Sequence, residues 1–476
     1  MNQRDDNQLQ TIQYVKQVSA LKDLDRAGEV ALRPVNMERR NLHIPPLLTP
    51  KHEDDNHVHY ELKAQKGETD IIGGKTNTYG YNGDFLGPTM KLKQGQTVTI
   101  DTTNDLDEPI TYHWHGMIVP DEADGGPSSE IEPGGDNTVS FDVLNEAGTY
   151  WFHPHPHHIS AEQIYRGLTG LIINEDENSE RLEDILPHEY GTDDIPLIIW
   201  DRFFDEEKEF VFEDVYASDG NRGDTLLLNG TAMPKIDVHH RYVRLRFLNA
   251  ANVTNFRIAL SNGATFYQIA TDGGFLNHPV GVDQIVLSPA ERAEVVIDLQ
   301  DIADDRLFIM MNEFEALEMN IKDKQEKVKF SPNNSLRKEI LPMIEVKDIA
   351  DLQTKLFMIS GTDENVSINN MKFDMERIDE RQTKDEYYVW RIMNVESEDG
   401  GMVHNFHTHG TQFRIIARNG NVPPKNELGY KDTVVLNPGD TVHLLVRFPL
   451  ESTYMYHCHN FAHENNGMMG NIKIEK

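Results

Sequence analysis

The sequence predicts an all-β protein built from β-sandwich domains, and three observations support this fold class. Hydrophobic residues recur in short alternating or apolar runs bounded by Gly, Pro, Asn and Asp, a pattern typical of sandwich strands. A turn followed by an alternating strand occurs at three separated points, starting at Lys93, Pro289 and Pro438, which indicates a repeated unit. The chain has 476 residues, which allows about three domains of roughly 150 residues or one unusually large domain.

The elements can be placed in chain order. Residues 15–26 could form a helix or a loose arm ahead of the first strand. The clearest strand candidates are the runs 96–100, 138–143, 242–248, 293–299, 388–393 and 442–448. Polar stretches with few apolar residues, the acidic 174–180 and the lysine-rich 322–335, separate three segments. We therefore expect an N-terminal arm with a first domain (1–180), a middle domain (181–345) and a third domain (346–476).

The chain is strongly acidic, since 45 Lys and Arg against 79 Asp and Glu give a formal charge of −34. This sign argues against binding to nucleic-acid phosphates or to an anionic lipid surface, and it favours solubility with some attraction for cations. No run approaches the roughly 18 apolar residues of a membrane span, and the polar start at Met1 shows no secretory signal. We predict a cytoplasmic monomer, although a removed leader or a non-classical export route would also fit the sequence.

Histidine is the most informative residue type. The chain has 21 histidines, and 12 of them lie in four short stretches. These stretches are His113-Trp-His115-Gly, His153-Pro-His155-Pro-His157-His158, His404-Asn-Phe-His407-Thr-His409-Gly and His457-Cys-His459-Asn-Phe-Ala-His463. The single cysteine, Cys458, lies in the last stretch. Because it has no partner for an internal disulfide, it is a small core residue, a reactive thiol or a metal ligand.

The spacing within these stretches predicts two kinds of metal site. On an extended strand, residues i and i+2 project from the same face, so four His-X-His pairs offer eight imidazoles to one cavity, enough for three metal ions. Cys458 faces the other side of its strand. There His404, His463 and Met468 would complete a trigonal set with a weak thioether ligand, the arrangement of blue copper. Structural zinc is disfavoured because it needs paired cysteines.

A single His-X-His pair is more often structural than functional. Four such pairs favour the metal interpretation, because one of them brackets the only cysteine and is followed by a histidine and a methionine at ligand spacing. One strand would then connect a sulfur-bound metal on one face to a metal cluster on the other, with a short covalent path for electrons.

The motifs resemble those of a known family over almost the whole chain. His-Trp-His-Gly, His-Pro-His, His-X-X-His-X-His-Gly and His-Cys-His-X₃-His-X₄-Met are similar to the motifs of the multicopper oxidases, the laccase-like enzymes. The stretches 410–415, 429–433 and 467–470 are most similar to the three-domain bacterial branch with copper-efflux oxidases and spore-coat laccases. The resemblance implies three cupredoxin-like Greek-key β-sandwich domains. It places a type 1 copper in the third domain, a trinuclear copper centre between the first and third, and no copper in the linking second domain.

The resemblance also implies the ligands of four copper ions per chain. The type 1 copper would take His404, Cys458, His463 and Met468. The type 2 copper would take His113 and His407, and the two type 3 coppers would take His115, His153, His155, His409, His457 and His459. His157 and His158 exceed the family pattern and are expected behind the ligands or at the surface.

Three acidic residues resemble functional positions of the family. Glu464 is similar to the acid that relays protons to the trinuclear centre, and Asp124 to the acid that orients a water near the type 2 copper. Either could instead be a solvated loop carboxylate. Asp432 matches an acidic position beside the type 1 histidines, where it could accept a proton or hydrogen bond from a phenol or bind a cation.

The expected activity is that of a laccase. Such an enzyme couples one-electron oxidation of phenols or aromatic amines at the type 1 copper to four-electron reduction of O₂ to water. The third segment lacks the dense methionine run that binds Cu(I) in copper-efflux oxidases, since Met371, Met375 and the others are scattered. This implies an open type 1 edge that admits bulky phenols.

Three other functions stay open. A cuprous oxidase for copper tolerance is the main alternative, followed by a non-enzymatic copper-storage or scaffold protein. A copper nitrite reductase is disfavoured because it would lack the His-Cys-His bracket.

Overall fold

The computed structural model describes residues 31–212, 220–344, 346–397 and 401–476. The expectation for residues 15–26 falls outside these ranges. Within them the all-β prediction is confirmed, because the strands form six sheets that belong in pairs to three consecutive parts of the chain. Each of the six strand runs expected from the sequence is found as a strand.

The first sandwich consists of a five-stranded and a four-stranded sheet. Across the first sheet the strands are His52–Glu53, His57–Asp70, Thr97–Asp105 and Asp136–Asp142, with Lys75–Tyr81 paired to His57–Asp70. Across the second sheet they are Met90–Lys93, Gly170–Glu175, Gly148–His153 and His113–His115.

The middle sandwich consists of a six-stranded and a seven-stranded sheet. The six strands are, in order, Arg40–Asn41, Pro234–His240, Phe314–Gln325, Arg306–Met311, Phe256–Leu260 and Gln284–Leu287. The seven are Thr231–Ala232, Thr225–Leu228, Asp194–Arg202, Tyr242–Asn249, Arg292–Asp298, Phe266–Thr271 and Gly274–Val282. The strand Arg40–Asn41 lies within the expected first segment (1–180) but pairs with the middle sandwich.

The third sandwich consists of a six-stranded and a five-stranded sheet. The six strands are Ser367–Ile368, Thr354–Ser360, Tyr388–Asn394, Thr441–Val446, Phe413–Arg418 and Tyr430–Lys431. The five are Glu380–Thr383, Met469–Glu475, Thr453–His457, His404–Thr408 and Thr433–Leu436. The described α-helices are short: Asp121–Asp124, Ser160–Arg166, Glu177–Arg181, Val346–Ile349 and Phe461–Asn465, with 3₁₀ turns at Pro127–Ser129 and Lys425–Glu427. Across the described ranges, no helix has the length and apolar character needed to cross a membrane.

One arrangement of three strands occurs in every sandwich. A first strand runs parallel to a second, which is antiparallel to a third. The trios are His57–Asp70, Thr97–Asp105 and Asp136–Asp142; Asp194–Arg202, Tyr242–Asn249 and Arg292–Asp298; and Thr354–Ser360, Tyr388–Asn394 and Thr441–Val446. Because parallel neighbours need a crossover connection, the trio marks one repeated unit rather than a chain of hairpins.

The sequence repeat was right at two of its three points. The strands after Pro289 and Pro438 both occupy the third position of their trio, whereas the strand after Lys93 occupies the second position. The true counterpart in the first sandwich is Asp136–Asp142, which follows Pro133 and two glycines. An alternating pattern marks any half-buried strand and carries no information on its place in the sheet.

Each sandwich has its own apolar core, and two further apolar clusters are present among the described residues, one of which contains residues of all three sandwiches. This joining cluster includes Trp151 and Ile164 of the first sandwich, Trp200 of the middle one and Phe461 of the third. Phe461 lies between His459 and His463 in sequence, so the apolar contact between sandwiches fixes the chain next to the histidine motifs.

Candidate metal centre

Two antiparallel strand pairs bring the four His-X-His pairs together. His113 lies opposite His153 in the first sandwich, and His407 lies opposite His457 in the third. Directly opposed residues on neighbouring strands have side chains about 5 Å apart, so each strand pair sets two histidine pairs side by side. Trp114 projects to the other face of its strand and is fully buried in the first core.

All eight histidines of these pairs lie in one buried cluster between the first and third sandwiches, and none is more than 2% exposed. The ring of His115 stacks on that of His407 with 3.9 Å between centroids. The rings of His113 and His409 stack at 4.1 Å. Side chains that are 292 and 296 residues apart in sequence therefore face each other and not the solvent.

Three ring nitrogens converge at one point of this cluster. His115 Nδ1 lies 3.4 Å from His153 Nε2 and 3.2 Å from His459 Nε2. Imidazole nitrogens bound to one metal at roughly 2.0 Å with tetrahedral angles are roughly 3.3 Å apart. The spacing of this trio therefore fits one metal ion.

The other five histidines fit metal binding in two further ways. His457 Nε2 lies 3.3 Å from His155 Nε2 and 3.0 Å from His409 Nε2, a second trio of the same size. His113 and His407 each donate from Nδ1 to a backbone carbonyl at 2.8 Å. Their Nε2 atoms are buried and have no hydrogen-bond partner among the described residues. A buried nitrogen in this state is costly unless a metal binds it, so this pair also fits an ion.

Burial favours the neutral form of most rings in the cluster. Burial, followed by repulsion between neighbouring imidazoles, lowers the pKa of five of these rings well below the usual value. They are His115, His153, His155, His457 and His459. Burial also lowers the pKa of His409 to about 3. Neutral imidazole is the form that binds metals, so burial favours the metal-binding form of these six rings.

Asp124 lies behind two cluster histidines. Its Oδ2 accepts a hydrogen bond from His409 Nδ1 at 2.6 Å, and its backbone carbonyl accepts one from His113 Nδ1. Burial would raise the pKa of Asp124, but the two imidazoles outweigh burial and hold that pKa well below its usual range. Asp124 is therefore an ionised, fully buried carboxylate and not a solvated loop residue.

Glu464 lies behind two other cluster histidines. Its carboxylate oxygens are 3.3 Å from His457 Nδ1 and 3.7 Å from His155 Nδ1, and Ser160 Oγ donates to it at 3.0 Å. Burial raises the pKa of Glu464 to about 8. The residue thus holds a proton at neutral pH at the edge of the cluster.

Asp432 does not lie where the sequence resemblance put it. Its Oδ1 accepts a hydrogen bond from His115 Nε2 at 3.1 Å, its backbone carbonyl accepts one from His407 Nδ1 at 2.8 Å, and Arg292 binds both of its carboxylate oxygens. Asp432 is 0% exposed, so no phenol or solvent cation reaches it. The expectation of a substrate-binding acid beside the type 1 histidines is therefore wrong, because the turn after Tyr430 carries Asp432 inward to the eight-histidine cluster.

The sulfur ligand set is assembled on the other face of the Cys458 segment. Cys458 Sγ lies 3.8 Å from His404 Nδ1 and 3.7 Å from His463 Nδ1. With zinc-like bond lengths of roughly 2.3 Å to sulfur and 2.0 Å to nitrogen, a trigonal metal would separate these atoms by roughly 3.7 Å. Met468 is fully buried and is tied to the same site by backbone hydrogen bonds, Cys458 N to Met468 O and Met468 N to His463 O.

Asn405 connects the two faces and was not predicted from the sequence. Its Oδ1 accepts a hydrogen bond from His459 N at 2.6 Å and lies 3.5 Å from Cys458 Sγ. Its Nδ2 donates to the Pro289 carbonyl of the middle sandwich at 2.9 Å. One sequence feature could have pointed to Asn405, namely its position between the proposed ligands His404 and His407. A polar amide at a buried position of this strand needs hydrogen-bond partners.

Among the described residues, the edge of the expected type 1 site is covered and not open. His404 is 1% exposed and His463 is fully buried. The hollow beside His404 holds about 10 Å³ and is lined partly by Ser288 and Pro289 of the middle sandwich. A methionine insertion in the third segment is one way to cover such a site, but here residues of the middle sandwich supply the cover.

Two methionines and two extra histidines lie near this site. Phe373 N donates to the Gly467 carbonyl, one residue before Met468, and Met371 and Met375 on either side of Phe373 are 40% and 48% exposed. The surplus histidines border the same segment. The ring of His157 packs on Phe373 with 5.5 Å between centroids, and exposed His158 donates from Nδ1 to the Asn465 carbonyl at 2.8 Å.

Fold and site together define a class of protein, the copper-binding oxidoreductases built from cupredoxin-like sandwiches. Comparisons with known proteins agree. Three models described as multicopper oxidase match residues 63–179, 196–329 and 348–476. The multicopper oxidase mco of Staphylococcus aureus is 39% identical over 439 residues, which cover 92% of this chain and 93% of that protein.

Two solved structures are similar to the whole chain. The laccase from Pediococcus acidilactici is 35% identical with a TM-score of 0.90, covering 95% of this chain and 97% of that one. A laccase-like multi-copper oxidase from Ochrobactrum sp., with oxidase activity towards lignin model compounds and lignosulfonate, is 31% identical with a TM-score of 0.80, covering 91% and 100%. The chain therefore belongs to the multicopper oxidase family, and it is an oxidoreductase that uses O₂ and an electron donor.

Proposed function

We propose that the chain is a laccase-type oxidase that takes single electrons from phenols or aromatic amines and reduces O₂ to two waters. The observation that carries this proposal is the position of Cys458. Its sulfur lies between His404 and His463, while the flanking His457 and His459 belong to the eight-histidine cluster. Reduction of one O₂ takes four electrons and four protons, whereas the donors supply electrons one at a time. Bound copper supplies the redox chemistry, and the chain supplies geometry, protons and exclusion of water.

We assign four copper ions to these residues. The type 1 ligands are His404, Cys458, His463 and Met468. The type 2 ligands are His113 and His407, and the type 3 ligands are His115, His153, His155, His409, His457 and His459. The two nitrogen trios and the pair of buried Nε2 atoms without partners support this division.

Two carboxylates are assigned to proton handling. Glu464 is buried, has a pKa raised to about 8 and lies against His155 and His457, so it would supply protons to the histidine cluster once copper is bound there, with Ser160 as its hydrogen-bond partner. Asp124 stays ionised and accepts from His409, so it fixes the outer nitrogen of that ring and orients a water at the cluster.

Phenols and aromatic amines are the proposed donors because the similar enzymes include a laccase and an oxidase of lignin model compounds. Specific observations favour a second candidate, oxidation of Cu(I). The hollow at His404 has room for a small ion but not for an aromatic ring, and the exposed thioethers of Met371 and Met375 lie beside the segment of Met468. Thioethers are soft ligands that select Cu(I).

The proposal includes a monomer with domains at 1–180, 181–345 and 346–476. The separation of the six sheets along the chain supports these boundaries, apart from the short strand Arg40–Asn41, which pairs with the middle sandwich.

Substitution of Cys458 by serine tests the core of the proposal. The copper-loaded wild type should show a strong thiolate-to-copper absorption in the visible range and donor-dependent O₂ uptake. The Cys458→Ser variant should lose both, while keeping the copper of the eight-histidine cluster by elemental analysis. A wild type that binds copper but consumes no O₂ with any reductant would replace the enzyme by a storage or scaffold role.

Donor preference is tested by steady-state O₂ uptake with Cu(I) and with a panel of phenols. The double variant Met371→Leu/Met375→Leu separates the two candidates. If phenols are the donors, this variant should oxidise them at the wild-type rate. Fast Cu(I) oxidation that falls in the variant, beside slow oxidation of every phenol, would establish the second candidate.

A further inference from the structure

We propose that Arg292, which belongs to the middle sandwich, is a positioning residue of the oxygen-reducing site. It holds Asp432 so that Asp432 in turn fixes the orientation and the tautomer of His115. The inference rests on the proposed function, because that function assigns His115 to a type 3 copper. It gives the middle sandwich, which contributes none of the assigned copper ligands, a part in the site.

Arg292 is fully buried and all five of its N–H groups are used. Nη1 donates to Asp432 Oδ1 at 2.7 Å and Nη2 to Asp432 Oδ2 at 2.6 Å, a two-point pair of the strongest type. The other three groups donate to backbone carbonyls of Thr149, Ala290 and Asp272. Backbone groups of the first and middle sandwiches therefore fix the guanidinium plane independently of its contact with the Asp432 carboxylate of the third sandwich.

Asp432 passes this constraint to His115. Its Oδ1 accepts from His115 Nε2 at 3.1 Å and also from Thr433 Oγ1 at 2.9 Å. Because Nε2 carries the proton, Nδ1 of His115 keeps its lone pair, and this is the nitrogen that faces His153 and His459. In both trios the other described ligand nitrogens are Nε2 atoms, so His115 alone needs an acceptor at its Nε2.

The residue after His115 shows how closely the three sandwiches meet. Gly116 has φ +85°, and a Cβ at this position would lie 2.6 Å from Asp432 Oδ2 and 2.8 Å from Arg292 Nη2. Any side chain would displace the arginine–carboxylate pair. The glycine of the His-Trp-His-Gly motif therefore makes room for Arg292 and Asp432 behind the ligand.

The test compares copper-loaded wild type with Arg292→Gln and Arg292→Lys. Copper retained against a competing chelator is measured by elemental analysis, with the visible thiolate band as an internal reference for the type 1 copper. We expect Arg292→Gln to lose cluster copper at a chelator concentration about 10- to 100-fold lower than wild type does, which is the usual effect of removing an outer partner of a ligand. The thiolate band should stay unchanged. Arg292→Lys should fall in between, because an ammonium group cannot bind both oxygens in one plane.

Arg246→Gln is the matched control. Arg246 is also a buried arginine of the middle sandwich, pairs with Asp194 and Glu294, and reaches Thr149 of the first sandwich, but it contacts no cluster histidine among the described residues. It should lower the unfolding temperature without changing copper retention. Asp432→Asn provides a second arm that keeps the side-chain size and should weaken cluster copper as Arg292→Gln does.

Two results would overturn the inference. One is wild-type copper retention in Arg292→Gln or in Asp432→Asn. The other is a copper loss in Arg246→Gln equal to that in Arg292→Gln, which would mean that Arg292 only stabilises the contact between sandwiches. A wild type with copper at Cys458 but none at the histidine cluster would instead contradict the proposed function.

Discussion

Three buried carboxylates lie behind three pairs of cluster histidines. Asp124 contacts His113 and His409, Asp432 contacts His115 and His407, and Glu464 contacts His155 and His457, and every pair draws its two rings from different sandwiches. A histidine that binds a metal through one nitrogen must place the proton of the other nitrogen on an acceptor. Asp124 and Asp432 each accept from one ring through the carboxylate and from the other through the backbone carbonyl, while Glu464 lies within 3.7 Å of both of its rings. Each acidic residue thus contacts one ring from each side of the interface.

The charge of Asp124 is expected to matter more than its shape. In Asp124→Asn the amide is isosteric, but it can present an N–H to His409 Nδ1 where the carboxylate can only accept. We predict about a 10- to 100-fold loss in O₂ reduction at saturating donor, the usual effect for an outer partner of a ligand. The measurement is O₂ uptake together with copper content.

The control for this substitution is Asp121→Asn, which changes a half-buried carboxylate of the same short helix. Burial raises the pKa of Asp121 to about 6, and Asp121 is not a partner of the cluster rings in the described contacts. Equal losses in both variants would show that the helix, and not the Asp124 carboxylate, matters.

Glu464→Gln tests the proton donor. Glutamine keeps the volume and the hydrogen bond from Ser160 but has no proton to release at neutral pH. We predict that O₂ reduction slows, whereas the donor reduces the type 1 copper at the wild-type rate. The second rate is measured from the bleaching of the visible band under anaerobic conditions. Slowing of both steps to the same extent would contradict a role in proton delivery.

The grouping of the histidines with Cys458 was predictable from the sequence, and the family resemblance pointed to Asp124 and Glu464, whereas Arg292 and Asn405 were not predicted. His-X-His spacing reports local geometry, so His457 and His459 could be assigned to one face and Cys458 to the other. Arg292 binds Asp432 across 140 residues, and no local spacing reveals such a contact. The same limit explains the misplacement of Asp432 and the unexpected cover over His404, since both depend on residues from another sandwich.

At the level of elements, the segment that links both metal sites is a strand followed by one helical turn. The strand Thr453–His457 ends at the cluster, and the helix Phe461–Asn465 then carries His463 back to Cys458 and Glu464 back to the cluster. Residues adjacent in a helix point about 100° apart, so His463 and Glu464 serve two different sites. The strand and its face were predictable from alternation, but this turn was not, because five residues show no helical period.

The start of this helix is a point where stability and spectrum should change together. Asn460 Oδ1 accepts a hydrogen bond from Ala462 N and caps the helix. Asn460→Ala should lower the free energy of unfolding by about 1 kcal/mol and shift the visible copper band, because His463 loses its fixed backbone. Thermal unfolding and absorption of the copper-loaded protein measure the two effects.

Asn460→Ser is the matched variant, since serine caps helices as well as asparagine does. It should keep both the stability and the band position. A band that shifts equally in the serine variant would show that the asparagine side chain acts on the copper site by another route than the cap.

On the scale of the whole molecule, buried charges between the first and middle sandwiches stabilise their arrangement. Glu294 accepts hydrogen bonds from Thr149 of the first sandwich at 2.7 Å and from Arg246 at 2.9 Å, and it also pairs with Arg244. Asp194 binds Arg246 through two hydrogen bonds of 2.7 Å. Three sandwiches could be predicted from length and repeats, but the charged contact between them could not, because charged residues in strands usually indicate exposed faces.

Glu294 should therefore make the stability of the protein depend on acidity. Burial alone would raise the pKa of Glu294, but the guanidinium groups of Arg244 and Arg246 outweigh burial and lower the pKa to about 2 from an ordinary 4.5. A carboxylate with a depressed folded pKa stabilises the fold above its unfolded pKa, and this contribution, about 3 kcal/mol here, is lost as the pH falls from about 4.5 to about 2. Glu294→Gln should unfold at a lower temperature than wild type at pH 7, and this difference in unfolding temperature, the gap, should narrow steadily below pH 4.5.

The measurement uses the metal-free chain, so that acid release of copper from the histidines makes no contribution. Glu189→Gln, which removes an exposed partner of Lys327, should show almost no gap at any pH. A gap for Glu294→Gln that stays constant down to pH 3 would mean that hydrogen bonding, and not the charge of Glu294, accounts for its contribution to stability.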